Sequence, residues 1–216
     1  MKKIYFSSAI ILLSICQLKA QENKHIEYMI KYDLISLLGD QVTTSLGIQF
    51  GTEVMYKRSR SLVVDAMYIF PCAGCDRPYT TITTESTYGW MISGAHRFYL
   101  SKPKISPSGF HLGPQVFYQH TKSEMRETYD GGIENYYHVY RDLVAAHVMA
   151  GYQLRIVGSL YFNPAVGLGT RFISSRNKNK KGTDSGQHEF PYDKDFESGS
   201  AWFPSFNINI KLGLKL

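Results

Sequence analysis

The sequence contains no long apolar run after its first twenty residues. A membrane-spanning helix needs about 18 or more consecutive apolar residues, and no segment beyond residue 20 supplies them. The chain also has little excess charge: 24 Lys and Arg stand against 18 Asp and Glu, and Lys2, Lys3 and Lys19 belong to the N-terminal segment. The remaining 21 basic residues nearly balance the acids, so no nucleic-acid partner is implied.

Residues 1–20 have the features of a signal peptide. Lys2 and Lys3 form a basic start, residues 10–15 form a short apolar core, and Ala20 precedes the predicted cleavage point. Cys16 raises the alternative of a lipoprotein, but Ile15 is too bulky for the position before a lipidated cysteine. The expected product is one exported domain, residues 21–216.

Alternation of apolar and polar residues dominates this domain. At the C-terminus it runs without a break from Ser205 to Leu216, which indicates a β-strand with one apolar face. The same pattern predicts eight strands between turn signals, at 26–37, 43–57, 61–70, 85–100, 109–122, 137–156, 159–174 and 201–216. The predicted fold is all-β: an eight-stranded antiparallel transmembrane β-barrel with up-and-down order.

The connections alternate between short and long. The second, fourth and sixth, at 57–61, 101–108 and 157–158, are short, whereas the third, fifth and seventh, at 71–84, 123–136 and 175–200, are long and polar. Only the first, at 38–42, is short where a long one is allowed. Outer-membrane barrels have short periplasmic turns and longer external loops, so both termini are expected on the periplasmic side.

The two faces of the strands differ in kind. In the second strand Leu46, Ile48 and Phe50 alternate with Ser45, Gly47 and Gln49. This arrangement, with small or polar residues inside and bulky apolar residues outside, is the reverse of that in a soluble barrel. Aromatic residues near the strand ends would form the interfacial girdles: Tyr56, Tyr68, Phe70, Phe98, Phe110, Tyr118, Tyr140, Phe172 and Trp202.

Three segments carry a resemblance. GYQLRIVGSLYFNPAVGLGTRF (151–172), FHLGPQVFYQH (110–120) and NINIKLGLKL (207–216) resemble strands of the small outer-membrane β-barrel proteins of Gram-negative bacteria, many of unknown function. The resemblance implies a location in the outer membrane, with its lipids and the barrel-assembly machinery as partners. One departure is Leu216, where many such barrels end in an aromatic residue that this machinery recognises. No ligand of the external loops is implied.

The lumen is expected to contain charges. An eight-stranded barrel is just wide enough for its own side chains, and unmatched charges there are costly. A paired network is therefore predicted that fills the lumen; a narrow ion path is the alternative and would give single-channel conductance. Glu53, Asp65, Arg97, Arg155 and Lys211 are placed in the periplasmic half. The predicted inward set is Lys31, Asp33, Glu53, Asp65, Arg97, Arg155, Arg171, Lys211 and Lys215.

The histidines are weak candidates for catalysis. Small outer-membrane barrels include lipid A deacylases and acyltransferases that use a His with a nearby Ser, but no His-x-Ser shares a strand face here. His111 and His147 are predicted to point inward, and His120 and Ser123 to lie near the external rim. Polar lumen or interface histidines are the favoured interpretation, and no catalytic residue is predicted.

Cys72 and Cys75 form the sharpest local motif, C-x-x-C. In a cytosolic chain this spacing would indicate redox or metal chemistry, but here it falls in a predicted external loop that meets an oxidising compartment. A loop disulfide is therefore expected. Zinc would need two more ligands, which nothing close in sequence supplies, so neither a metal nor a cofactor is predicted.

These observations favour a non-enzymatic outer-membrane barrel with a structural or surface-interaction role. The first alternative is a lipid A-modifying enzyme, a deacylase or acyltransferase, at the rim. The second is a soluble periplasmic lipid carrier, which would place its apolar side chains inside.

Overall fold

The computed structural model describes residues 26–38, 45–57, 59–72, 78–79, 82–100, 108–128, 134–179 and 198–216. The predicted signal peptide, 1–20, lies outside these residues. A two-residue strand, Pro78–Tyr79, pairs with Ile82 and Thr83, and a 3-10 helix occupies Ile35–Leu38. The barrel strands are β1 (Glu27–Asp33), β2 (Ser45–Lys57), β3 (Arg60–Pro71), β4 (Ile82–Tyr99), β5 (Gly109–Thr128), β6 (Glu134–Val157), β7 (Leu160–Lys178) and β8 (Gly199–Lys215).

The strands form a closed ring in sequence order. Each strand pairs antiparallel with the next, and β1 pairs with β8, with Met29 opposite Lys215 and Asp33 opposite Lys211. In the closed part of the barrel each strand has two neighbours, so no strand edge with unpaired backbone groups remains there. The predicted all-β, eight-stranded antiparallel up-and-down barrel is confirmed.

The faces of this sheet are inverted relative to a water-soluble barrel. Charged side chains such as Lys31, Glu53, Asp65 and Lys211 are at most 1% exposed inside the barrel. The outer wall exposes apolar side chains on every strand, among them Ile30, Phe50, Val64, Ile92, Val116, Val148, Leu168 and Phe206. This matches the faces predicted from alternation.

Aromatic rings pair on the outer wall toward both ends of the barrel. Toward the end with the long connections, Trp90 lies 5.2 Å from Tyr118 and Phe172 lies 5.1 Å from Trp202, measured between ring centroids. Toward the other end, Phe98 packs edge-on against His96 at 4.3 Å. Rings with one polar edge suit a boundary between an apolar and an aqueous phase.

The first strand is shorter than predicted, because it ends at Asp33 instead of residue 37. The carboxylate Oδ1 of Asp33 accepts a hydrogen bond from the amide of Ile35 at 3.0 Å, and Ser36 Oγ donates to the Asp33 carbonyl at 2.6 Å. Such local side-chain bonds compete with a strand ladder. The amide of Gln49 then donates to Ser36 Oγ at 3.1 Å, which fastens the 3-10 helix to β2.

Strand pairing continues into two of the predicted long connections. The predicted connections 123–136 and 175–200 are wrong in extent, since β5 continues to Thr128, β6 begins at Glu134 and β7 continues to Lys178. Thr128 still pairs with Glu134, and His138 with Lys178. Both faces of these extensions carry polar residues, so the alternation is lost although the backbone pairing continues.

Prolines within the strands lie where pairing is interrupted. Pro114 lies at a gap in the β4–β5 ladder, and Pro164 at a gap in the β6–β7 ladder. Pro204 lies in the part of β8 whose described pairing is with β7 alone. Proline has no amide hydrogen to donate, so it is tolerated where no ladder bond is required.

The tight turn between β6 and β7 depends on a glycine. Gly158 has a φ of +53°, a left-handed conformation that glycine adopts without the Cβ clash other residues meet. No helix within the described ranges is long and apolar enough to cross a membrane.

Candidate functional site

A buried charge cluster occupies the lower half of the lumen, the half nearer the short turns. Glu53 lies at its centre: carboxylate Oε2 contacts Lys31 Nζ and lies 3.4 Å from Arg97 Nη1. The other oxygen, Oε1, accepts hydrogen bonds from Ser61 Oγ and, at 2.8 Å, from Tyr99 OH. The structure thus brings together three of the predicted lumen residues around one carboxylate.

Gln153 links the two cations of this cluster. Its Oε1 accepts a hydrogen bond from Lys31 Nζ at 2.7 Å and one from Arg97 Nη1 at 3.4 Å. Gln153 is fully buried. Its neutral oxygen provides a second acceptor for the two cations, which have Glu53 as the one acid between them. Gln153 was not among the predicted residues.

A second ion pair lies beside the first. Lys211 Nζ contacts Asp65 Oδ2 at 2.6 Å, and Ser93 Oγ donates to the same oxygen at 3.0 Å. The Asp65 carboxylate lies over Gly51, where a Cβ would be 1.9 Å from Oδ1. Glycine at this inward position therefore makes the space for the ion pair.

Three predicted lumen charges have other roles. Asp33 is buried, but its Oδ1 binds the Ile35 amide at the start of the 3-10 helix. Arg155 was predicted to join the network, but it does not. It is exposed near the β6–β7 turn, and its Nε donates to the Gly158 carbonyl at 2.6 Å. Lys215 pairs with Glu27 at 3.0 Å at the same end of the barrel.

Arg171 lies apart from these pairs, in the upper half of the lumen toward the long connections. Its guanidinium stands over the Phe203 ring, 5.9 Å from the centroid. Its buried Nε has no hydrogen-bond partner among the described residues, and no carboxylate of those residues pairs with it. Arg171 is therefore a cation whose charge the described lumen does not neutralise.

A cavity of about 380 Å³ occupies this upper half. Its volume is at the lower end of the range of small-molecule sites. The largest group of lining residues is neutral and polar and includes five amide side chains, Gln49, Gln115, Gln119, Asn207 and Asn209. Arg171, Asp33 and His147 are its ionisable residues, and its apolar residues are Ile35, Met67, Met91, Phe117, Leu143, Phe206 and Ile208.

One pair in this cavity could carry chemistry. His147 Nε2 lies 2.8 Å from Ser205 Oγ, and the two face each other across Gly169 of β7. A His beside a Ser hydroxyl is the core of an acyl-transfer site. The ring of His147 is stacked on Phe117, and its Nδ1 has no partner among the described residues, so the acid that orients such a histidine has no counterpart there.

His120 and Ser123, both predicted to lie near the external rim, do not contact each other. Ser123 is buried inside the barrel and hydrogen-bonded to Thr87 Oγ1 at 2.9 Å. His120 lies on the opposite face, where its Nδ1 is 2.8 Å from Asp142 Oδ1, an atom that also accepts from Tyr118 OH at 2.6 Å. His120 thus lies on the outer wall.

The hairpin that joins β5 to β6 presents a polar cluster. Arg126 Nε lies 2.8 Å from Glu85 Oε1, and Arg126 Nη1 lies 3.6 Å from Glu134 Oε1. Tyr136 OH donates to Glu134 Oε2 at 2.8 Å, and this bond raises the pKa of the exposed Tyr136 hydroxyl. The hairpin therefore offers an aromatic side chain held by charged neighbours.

Cys72 is disulfide-bonded. Cys75, its expected partner, lies outside the described residues. The described part of the chain contains no group of His, Cys, Asp and Glu suited to hold a metal ion.

Comparison with known proteins places the chain near no family. It matches no protein-family model and no curated protein. Among solved structures it is similar to the crystal structure of a major outer membrane protein from Thermus thermophilus, with a TM-score of 0.46 and 11% identity over 88% of this chain and 99% of that one.

Proposed function

We propose that this chain is an integral outer-membrane β-barrel protein with a structural or surface-interaction role and no enzymatic activity. The observation that carries the proposal is the inverted barrel: Phe50, Val116 and Val148 are 56%, 57% and 61% exposed on the outer wall, whereas Glu53 is 0% exposed inside. Apolar side chains on the whole circumference of a closed sheet require an apolar solvent. A soluble carrier would have the opposite faces.

The lumen supports a structural role over a conducting one. The side chains around Glu53 and those around Asp65 occupy the lower half, and each group is held by its own ion pairs and hydrogen bonds. A linked set of buried ion pairs holds its strands in one register. The external hairpin, with Tyr136 59% exposed, is the surface available for contact outside the membrane.

The test is the accessibility of the two faces to lipid. In vesicles that contain the purified mature protein, a photoactivated lipid-soluble probe is expected to label Ile208 and to leave Asn209 unlabelled, since these neighbours lie on opposite faces with exposures of 39% and 8%. Peptide mass spectrometry reads out both positions. A mature chain that is folded, monomeric and water-soluble without detergent would disprove the membrane location.

An acyl-transfer enzyme acting on lipid A is the second candidate, because His147 Nε2 lies 2.8 Å from Ser205 Oγ. Lipid A is compared by mass spectrometry from cells that carry the wild-type protein, Ser205→Ala or no protein. Since the described chain supplies no acid to orient His147, we expect the same acylation in all three. An acyl group gained or lost only when Ser205 is present would establish the enzyme instead.

A further inference from the structure

The upper cavity reaches the barrel wall next to β8. β1 ends at Asp33 and pairs with β8 only from Lys211 to Lys215, after which one bond remains, from the Leu34 amide to the Ile210 carbonyl at 2.8 Å. Above this point the described residues of β8 pair with β7 alone. The 3-10 helix lies beside β2 here, and its Ile35 lines the cavity.

The wall side of the cavity is apolar. Phe206 and Ile208 alternate to the outer face of β8 and are 57% and 39% exposed there, yet both also line the cavity. Ile35 lies on the same side, across from β8. The cavity therefore adjoins β8 and the 3-10 helix where, among the described residues, β8 has no second neighbouring strand.

The inner side of the cavity is polar and contains one cation, Arg171, and one acid, Asp33. Arg171 lines it without a carboxylate partner among the described residues, and its Nε is buried and unbonded there. His147, only 3% exposed, also has an unbonded ring nitrogen and holds Ser205 Oγ at 2.8 Å. Asp33 is bound to the start of the 3-10 helix. Arg171 is partly buried, and its guanidinium has no carboxylate partner among the described residues, so this end favours an anion.

We propose that the upper cavity binds an amphipathic carboxylate with a single alkyl chain. The carboxylate pairs with Arg171, since a guanidinium offers two parallel donors to such a group, and Ser205 and Asn207 supply further polar contacts. The chain leaves between Ile35 and Ile208 into the surrounding hydrocarbon. The inference rests on the proposed membrane location, because only there does the outer end of the passage meet an apolar phase.

The test uses the full mature chain, folded in non-ionic maltoside micelles, with dodecanoate as the probe. Native mass spectrometry is expected to detect one bound dodecanoate per chain. Arg171→Gln should weaken binding about tenfold or more, the loss of one charge-assisted pair. Arg155→Gln is the matched control, because Arg155 is exposed near the β6–β7 turn, and it should bind as the wild type does.

A second variant tests the passage independently of the charge. Ile208→Trp keeps Arg171 and fills the wall opening, so dodecanoate binding should fall while heat-modifiable gel migration stays that of a folded barrel. Dodecan-1-ol, which has the chain without the charge, should bind more weakly than dodecanoate. Equal binding by wild type and Arg171→Gln, equal binding of the alcohol, or undiminished binding by Ile208→Trp would overturn the proposal.

Failure of this site and failure of the membrane proposal are distinguishable. If Ile208 is labelled from the lipid phase but dodecanoate does not bind, the barrel is a membrane protein without this ligand. If Arg171→Gln does not fold, Ile208→Trp and the alcohol decide the question with Arg171 intact.

Discussion

Glu53→Gln is expected to lower the free energy of unfolding by about 3 to 5 kcal/mol, the cost of removing one partner from a buried ion pair. Glu53 is 0% exposed and is the carboxylate that both Lys31 and Arg97 contact. The amide that replaces it has no charge, so two cations remain close together in a space without bulk water. The midpoint of urea unfolding in lipid vesicles, followed by heat-modifiable gel migration, measures the loss.

Two further variants show whether charge is the cause. Glu124→Gln removes an acid that is 45% exposed and pairs with Lys122 at 3.8 Å, so it should change stability by about 1 kcal/mol or less. Lys31→Met combined with Glu53→Gln restores the net charge of the cluster and should recover part of the loss. An unchanged urea midpoint in Glu53→Gln alone would show that the cluster contributes nothing to stability.

The fold was predictable because alternation has a physical cause that acts locally. On β2, Ile48 and Phe50 point outward and Gln49 points inward wherever that strand lies in the barrel, since side chains alternate along any strand. The tight turn at Gly158 joins β6 directly to β7, and after a register shift between Arg155 and Val157 the pairing places His147 opposite Gly169. Strand number, order and faces therefore follow from residues near each other in the chain.

Contacts across the lumen were predictable only as a set. The alternation along each strand predicts that Lys31, Glu53 and Arg97 point inward. Which cation contacts which acid depends on how the strands are staggered in the closed ring. Arg155 shows the limit: it precedes the turn by too few residues to reach the interior, so it bonds the exposed turn instead. Alternation therefore predicts which face of the sheet a residue lies on, but not how far along the barrel axis it lies.

The upper cavity could not be anticipated for the same reason. Ser205 meets His147 across Gly169, but the connection from β7 to β8 spans about twenty residues of sequence and does not fix their register. The early end of β1 at Asp33 depends on the side chains of Asp33 and Ser36 bonding to the local backbone. Both features arise from contacts that the alternation pattern does not encode.

Val148→Arg is expected to destabilise the barrel in a bilayer by about 2 to 4 kcal/mol, the cost of a cation on the lipid face near the middle of the membrane. Val148 is 61% exposed on the outer wall of β6, between Pro114 and Leu168 of the neighbouring strands. It has little packing to lose, so in a water-soluble barrel the same change would be within about 0.5 kcal/mol of neutral. The size of the destabilisation therefore shows whether hydrocarbon or water surrounds the outer wall.

Tyr136→Arg is the matched control for Val148→Arg, because Tyr136 lies on the same strand and has a similar exposure of 59%. It lies in the β5–β6 hairpin, where its hydroxyl donates to Glu134. An arginine there remains in water and beside an acid, so its cost should be about 1 kcal/mol or less. Urea titration of both variants in vesicles of the same lipid compares the two depths directly. If both arginines cost the same small amount, the apolar wall does not face hydrocarbon, and the membrane location is wrong whatever the lumen contains.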